Sequence, residues 1–194
     1  PKDTSKLQKL SLEPTQDAWL RANYADTRYG KDPTLAVGAK DVFRSLVTWE
    51  LPEGLRKAKI RSAKIVLPLR YVIGNASYAV YPAPVGWQER SVTWKNSEAG
   101  KAWKDAGGGG PLPKTPIATA TIAPVSMQEV EAAKTPPMLT FDVSRYVRQV
   151  ARTRSALGVV IVQKPPNPEA SVSPHSREAE DPALRPRLEI EYEL

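Results

Sequence analysis

Bond-making chemistry needs titratable side chains held in pairs, and this chain supplies few. His175 is its only histidine. It stands in a Ser-Pro-His-Ser loop with no motif that would make it a base, so it reads as a surface residue. Glu178, Glu180 and Asp181 follow it. Hard cations take carboxylate oxygens, which makes a calcium corner one reading. No EF-hand spacing supports it, and a solvated acidic loop is the preferred reading. Glu89 and Asp142 read as structural partners of Arg44, Arg185 or backbone N–H groups. The chain has no cysteine, which excludes disulfides, zinc–thiolate sites and thiol nucleophiles. No catalytic residue and no cofactor is predicted.

Binding chemistry is better served. A guanidinium holds a carboxylate through two parallel hydrogen bonds, and an aromatic face accepts the apolar face of a sugar ring. The loop candidates are Arg28, Tyr29, Lys95, Trp103 and Lys104. The sheet candidates are Lys64, Arg70 and Tyr71. Each has a plainer reading: Trp103 as a cap on the core, Tyr71 as part of an apolar face, Lys64 and Arg70 as wet strand positions. A net charge of +7 and a pI near 9.6 favour anionic partners over neutral ones. Arg145, Arg148 and Arg152 fall on the outward face of a predicted helix, where they could track phosphates. No nucleic-acid motif accompanies them and acidic residues are interspersed throughout, so nucleic acid is not the expected partner.

These side chains must be positioned by strands. Nineteen of the 194 residues are proline, which breaks helices and puts turns between short strands. Strands are predicted at 17–21, 35–38, 43–51, 59–72, 77–81, 117–122, 138–142, 157–163 and 188–194. Pro68 cannot donate to a ladder, so an edge or bulge is expected there. Ser126 and Glu129 form a capping box for a short helix over 127–133. Asp142 or Ser144 caps a second, in which Val143, Tyr146, Val147 and Val150 share a face. The stretch Trp87 to Asn96 is the organising segment: β-branched Val92 and Thr93 with Trp94 predict a pinned loop-to-strand turn. One helical turn is expected over 96–103, and Gly107 to Gly110 a flexible loop. The class is all-β: a single jelly-roll β-sandwich with two short helices. Residues 1–16 are a linker or an edge strand, and 17–194 the sandwich. No apolar run is long enough to span a membrane. The chain opens at Pro1 without Met and reads as a piece of a longer protein.

Ten short motifs in order resemble the DNRLRE domain, or disaggregatase-related repeat. They begin with Asp17-Ala18-Trp19-Leu20-Arg21, Tyr29-Gly30, Leu35 to Gly38, and Arg44 to Pro52. Ser62 to Leu67 and Trp87-x-Glu89-x-x-Val92-Thr93-Trp94-x-Asn96 come next. Phe141 to Ser144 with Val147, Leu157-Gly158-Val159, Ser176-Arg177-Glu178 and Arg185 to Ile190 complete the series. The resemblance covers about Asp17 to Leu194. It implies a non-catalytic, carbohydrate-binding jelly roll of secreted or cell-surface bacterial and archaeal proteins, often beside polysaccharide-degrading domains, with alginate among the family's ligands. The expected partners are an acidic polysaccharide and other domains of a longer chain. The alternative is a structural or adhesive spacer with no glycan affinity.

Overall fold

The computed structural model describes residues 6–153 and 155–194. The first five residues of the predicted 1–16 segment thus lie outside the described residues. The rest of it contains strand β1, Gln8–Leu12, which stands at the end of the sheet order.

Two antiparallel sheets face each other. The first runs β1, β13 (Arg187–Glu193), β5 (Lys59–Ile73), β10 (Met138–Asp142). The second runs β9 (Ala118–Ile122), β6 (Ala76–Pro82), β11 (Ala156–Gln163), β4 (Phe43–Glu50), β2 (Gln16–Arg21). Short strands β3 (Val37–Gly38) and β12 (Ser171–Pro174) join β4 to the far half of β5. β12 was not foreseen from the proline-rich sequence around it. Alternation turns Ala63, Ile65, Leu67 and Leu69 of the first sheet against Val47, Trp49, Val159, Ile161, Tyr78 and Val80 of the second, and all are buried. This is the all-β sandwich that the sequence predicts.

β5 belongs to both sheets, and Pro68 explains how. β13 pairs with β5 only as far as Val66, and β12 takes over at Leu69. The residue that cannot donate sits where the partner changes. The predicted bulge falls two residues later: Leu69 and Tyr71 oppose consecutive residues Pro174 and Ser173, leaving Arg70 unpaired. The extra residue reverses the side-chain phase. Val72 enters the core, and Tyr71, expected on the apolar face, ends half-buried.

Two short α-helices accompany the sheets. Helix α1 (Met127–Ala132) has the predicted capping box, Glu129 N–H donating to Ser126 Oγ and Ser126 N–H to Glu129 Oε2. Helix α2 (Ser144–Thr153) closes one end of the sandwich with Val147 and Val150. Asp142 accepts from the Ser144 backbone N–H at 3.0 Å and from its hydroxyl at 2.6 Å. Those two bonds hold its carboxyl below the usual carboxylate range. Arg148 is committed to the fold: it donates to the Ile60 and Arg61 carbonyls at 2.9 and 2.8 Å.

The segment from Ala83 to Pro116 departs from prediction. Residues 87–94 form no strand. They make successive tight turns, with Val92 N–H donating to Gln88 O and Thr93 N–H to Asn96 O. The helical turn expected over 96–103 is instead a small hairpin, β7 (Asn96–Glu98) and β8 (Lys101–Ala102). Tertiary packing outweighs local β propensity here. Trp87, Val92 and Trp103 lie on the outer face of the second sheet, against Leu20, Leu46, Tyr81, Val160 and Val162, and make a second core. The glycine run is packed as well. Gly107 and Gly108 are buried at φ +88° and +101°, and a Cβ on Gly108 would stand 3.2 Å from Leu46. Arg44 fixes this cover: it donates to Gly107 O at 3.0 Å and lies 5.1 Å from the Trp94 ring.

Candidate functional site

Alternation along β2 sends Asp17, Trp19 and Arg21 to one side, opposite Ala18 and Leu20 in the second core. Around Trp19 and Arg21 gathers a group of partly exposed rings. Tyr29 stacks on Trp19 with centroids 3.8 Å apart. Phe43, which pairs with Arg21 across the ladder, meets Trp19 edge-on at 5.6 Å. The Arg21 guanidinium lies 4.2 Å above the Tyr24 ring and is fixed by Asn23 Oδ1 at 2.8 Å. Tyr24 is 55% exposed. Trp19 N–H donates to Asp32 Oδ2 at 2.9 Å, which ties the far end of the 22–33 loop back onto β2. Lys95 joins from the cover segment, its N–H donating to Ala25 O and its ammonium pairing with Asp26 at 2.7 Å. Arg28 and Lys31 are exposed. Four cations, Arg21, Arg28, Lys31 and Lys95, thus stand against Asp26 and Asp32. This is a rim of rings and positive charge suited to stacking and to carboxylates.

Directly against this loop lies a carboxylate cluster that joins three chain segments. One ligand-capable oxygen each from Asp17, Glu89 and Glu178 falls within 4.8 Å of the others. Glu89 accepts the Asp17 N–H at 2.9 Å and pairs with Arg177 at 3.0 Å. Asp17 Oδ2 accepts the Arg177 N–H at 2.8 Å. Gly30 fits because it has no side chain: a Cβ would stand 1.8 Å from the Glu89 carbonyl oxygen. Burial pushes the Asp17 carboxyl well above its ordinary range, opposed by the Arg177 N–H and reinforced by Glu178 and Glu89. Burial also raises Glu178, with Glu89 adding to it. The sequence reading of Glu89 as a structural residue with a backbone N–H partner agrees with this geometry. Its ion-pair partner is Arg177, however; Arg44 pairs with Asp41, and Arg185 with Glu13.

The structure brings three of the predicted residues together, Arg28, Tyr29 and Lys95, in this rim. Lys104 is exposed on the cover segment, and the other four lie elsewhere. Lys64 lies on the outer face of the first sheet, in register with Glu189 on one side and Asp142 on the other. Arg70 and the half-buried Tyr71 lie at the bulge; Arg70 lines a hollow with His175, Met127 and Lys134. Trp103 is 8% exposed and its N–H donates to Thr93 O at 2.9 Å. It belongs to the second core, and its ring has no free face for a sugar. His175 is half-buried, and burial first, then Arg70, holds its imidazole below the ordinary value. Sequence reasoning missed Trp19, Arg21, Tyr24 and Phe43. Alternation in 17–21 pairs Trp19 with Arg21, but only the β2–β4 register brings Phe43 to them.

A family model for carbohydrate-binding module family 96 matches residues 8–106, just over half of the chain. The chain belongs to carbohydrate-binding module family 96. The matched segment holds the whole rim and both Asp17 and Glu89; Arg177 and Glu178 come from outside it. No curated protein matches the chain at a significant level. As a module of this family, the chain has its ligand class set as carbohydrate.

Proposed function

We propose that this protein is a non-catalytic module that binds an acidic, alginate-like polysaccharide through the rim formed by Arg21, Tyr24, Arg28, Tyr29 and Lys95. The observation that carries the reading is the pairing of ring surface with uncommitted positive charge. Tyr24 is more than half exposed beneath Arg21, and Arg28 has no ion-pair partner among the described residues. A uronate offers what these groups accept: an apolar ring face for the tyrosine and a carboxylate for the guanidinium. The resemblance of the ten motifs to the DNRLRE domain supports the same class of ligand, and a place in a secreted or surface protein beside other domains. The outer face of the first sheet is the weaker site. Lys9, Lys64 and Arg187 there are matched by Glu189, Glu191 and Asp142, so it offers a polyanion little net attraction. No group is assigned to bond cleavage. Asp17 is 1% exposed, out of a substrate's reach, and Glu89 is engaged by Arg177.

Affinity electrophoresis against alginate, pectin, a neutral glucan and DNA at two salt concentrations tests the reading. Retardation by one acidic glycan that persists at moderate salt is expected. Tyr24→Ala and Arg28→Ala should each weaken it about tenfold, the equivalent of ~1.4 kcal/mol, and Lys64→Ala should not. Equal retardation by every polyanion, lost with salt, would reduce the interaction to net charge. No retardation by any would leave the spacer reading in its place.

A further inference from the structure

We propose that Asp17, Glu89 and Glu178 form a binding site for one hard divalent cation of the calcium type. The proposal is independent of the glycan reading, because the site stands on its own geometry. Asp17 is 1% exposed, and its Oδ1 is fully buried without a hydrogen-bond partner, while its Oδ2 is used by the Arg177 N–H. A buried carboxylate oxygen with no donor is costly to leave unmatched. Its nearest charged neighbours make matters worse: the carboxylates of Glu178 and Glu89 offer oxygens within 4.8 Å. Two ionised carboxylates cannot hydrogen-bond each other, so either a cation or a proton shared between Asp17 and Glu178 must stand between them. Arg177 supplies one charge, and it is directed at Glu89 at 3.0 Å and Glu178 at 3.5 Å. With all three ionised, as a bound cation would hold them, three carboxylates against one guanidinium leave two negative charges, the complement of one divalent ion.

The donor set selects the kind of ion. All three ligands are carboxylates, and the only histidine is absent from the group. Oxygen-only sets of flexible carboxylates suit calcium, whereas soft thiolate or imidazole sets suit zinc and copper. Of the acidic loop suspected in the sequence, only Glu178 takes part. Asp181 is used as a cap, accepting the Ala183 N–H at 2.9 Å, and Glu180 is exposed. A cation here would cross-link β2, the cover segment and the loop after β12, three segments distant in sequence.

Calorimetric titration of calcium chloride into the EDTA-treated full chain, with thermal melts in calcium and in EDTA, tests this. One calcium per chain is expected, with magnesium weaker. A Tm rise of about 5–10 °C is expected at roughly a hundredfold excess over Kd. Asp17→Asn should abolish the heat. Because that variant alters a buried group, Glu178→Gln serves as the second: it should fold and weaken calcium at least about tenfold. Glu180→Gln should bind like the parent. Identical melts in calcium and EDTA with no titration heat would overturn the proposal. So would Asp17→Asn proving more stable than the parent in both media, which would mean the cluster holds a shared proton instead. Neither readout involves a glycan, so failure here and failure of the rim to bind polysaccharide are separate results.

Discussion

The two sheets of this sandwich treat their outer faces in opposite ways. In the first, β13 alternates Leu188 and Ile190 inward with Arg187, Glu189 and Glu191 outward. Its outer face is a charge ladder open to water, with Lys9 and Glu191 paired at 3.1 Å. In the second, β11 is apolar on both sides: Val159 and Ile161 enter the first core, Val160 and Val162 the second. That outer face is roofed by the Trp87–Trp103 segment. A continuous apolar run buried on both faces needs two covers, and an alternating strand needs one. The consequence reaches function. The roof removes one sheet face from any ligand, the ladder leaves the other balanced in charge, and ring surface with surplus positive charge collects at the rim where β2 ends.

The sharpest way to break this comparison is to remove an anchor of the roof. Trp87 is 2% exposed. Trp87→Ala should lower the unfolding free energy by about 3–5 kcal/mol in urea titration, as for large side chains deleted from a core. A loss under about 1 kcal/mol would mean the roof is an ornament of the fold and not a second core. The next largest effect is expected at the glycine run. Gly108→Ala would place a Cβ 3.2 Å from Leu46 in a backbone at φ +101°, at a cost of about 1–3 kcal/mol. Gly54, whose Cβ would meet nothing within 4 Å, is the control: Gly54→Ala should be neutral or stabilise by about 0.4–1 kcal/mol in the same titration.

The difference between the sheets also marks how far the sequence could be read. Periodicity made the first sheet legible: apolar residues alternate over 63–71 and 188–194 in the sequence, and these ranges fall in or overlap strands β5 and β13. The phase error at Tyr71 came from a single bulged residue, Arg70, which Pro68 signalled but did not place. The roof was legible as important and wrong in form. Val92, Thr93 and Trp94 have strand propensity, yet their energy comes from burial on Leu46, Tyr81 and Val160, partners far away in the chain. Four glycines announce freedom, and only the tertiary fit with Trp94 and Leu46 turns them into a tight lining. Arg28 and Tyr29 were found because loops carry binding residues. Arg21, Tyr24 and Phe43 were missed because their grouping depends on strand register. The carboxylate cluster was invisible for the same reason: its members are contributed by positions 17, 89 and 178.

On the open face the effects should be small. Glu189→Ala removes a partner that Arg187 meets at 3.4 Å with its own side chain half exposed. The change in stability should stay below about 1 kcal/mol by urea titration and shrink further in salt. A larger loss would mean that the ladder, like the roof, holds its sheet together.

The subtlest test uses His175, whose imidazole gives the chain's only histidine signal in an NMR titration. Burial and the nearby Arg70 hold its pKa below the usual 6.5, with Asp181 pulling the other way. Arg70→Gln should therefore move the midpoint upward. The stability consequence has a definite sign. The folded state binds the proton less well than the unfolded chain, so this group leaves stability unaffected above pH 6.5 and removes it as pH falls through 6.5 towards the folded value. Arg70→Gln should lessen that loss. The same signal also discriminates between ligand sites. His175 bridges Thr34 at the end of the rim loop, so the shift on saturation with alginate is compared in the parent and in Arg70→Gln: an equal shift in both places the ligand at the rim. A rise in the midpoint that is lost in Arg70→Gln would mean carboxylates docked on Arg70, and would transfer the binding site from the rim to the β5 bulge.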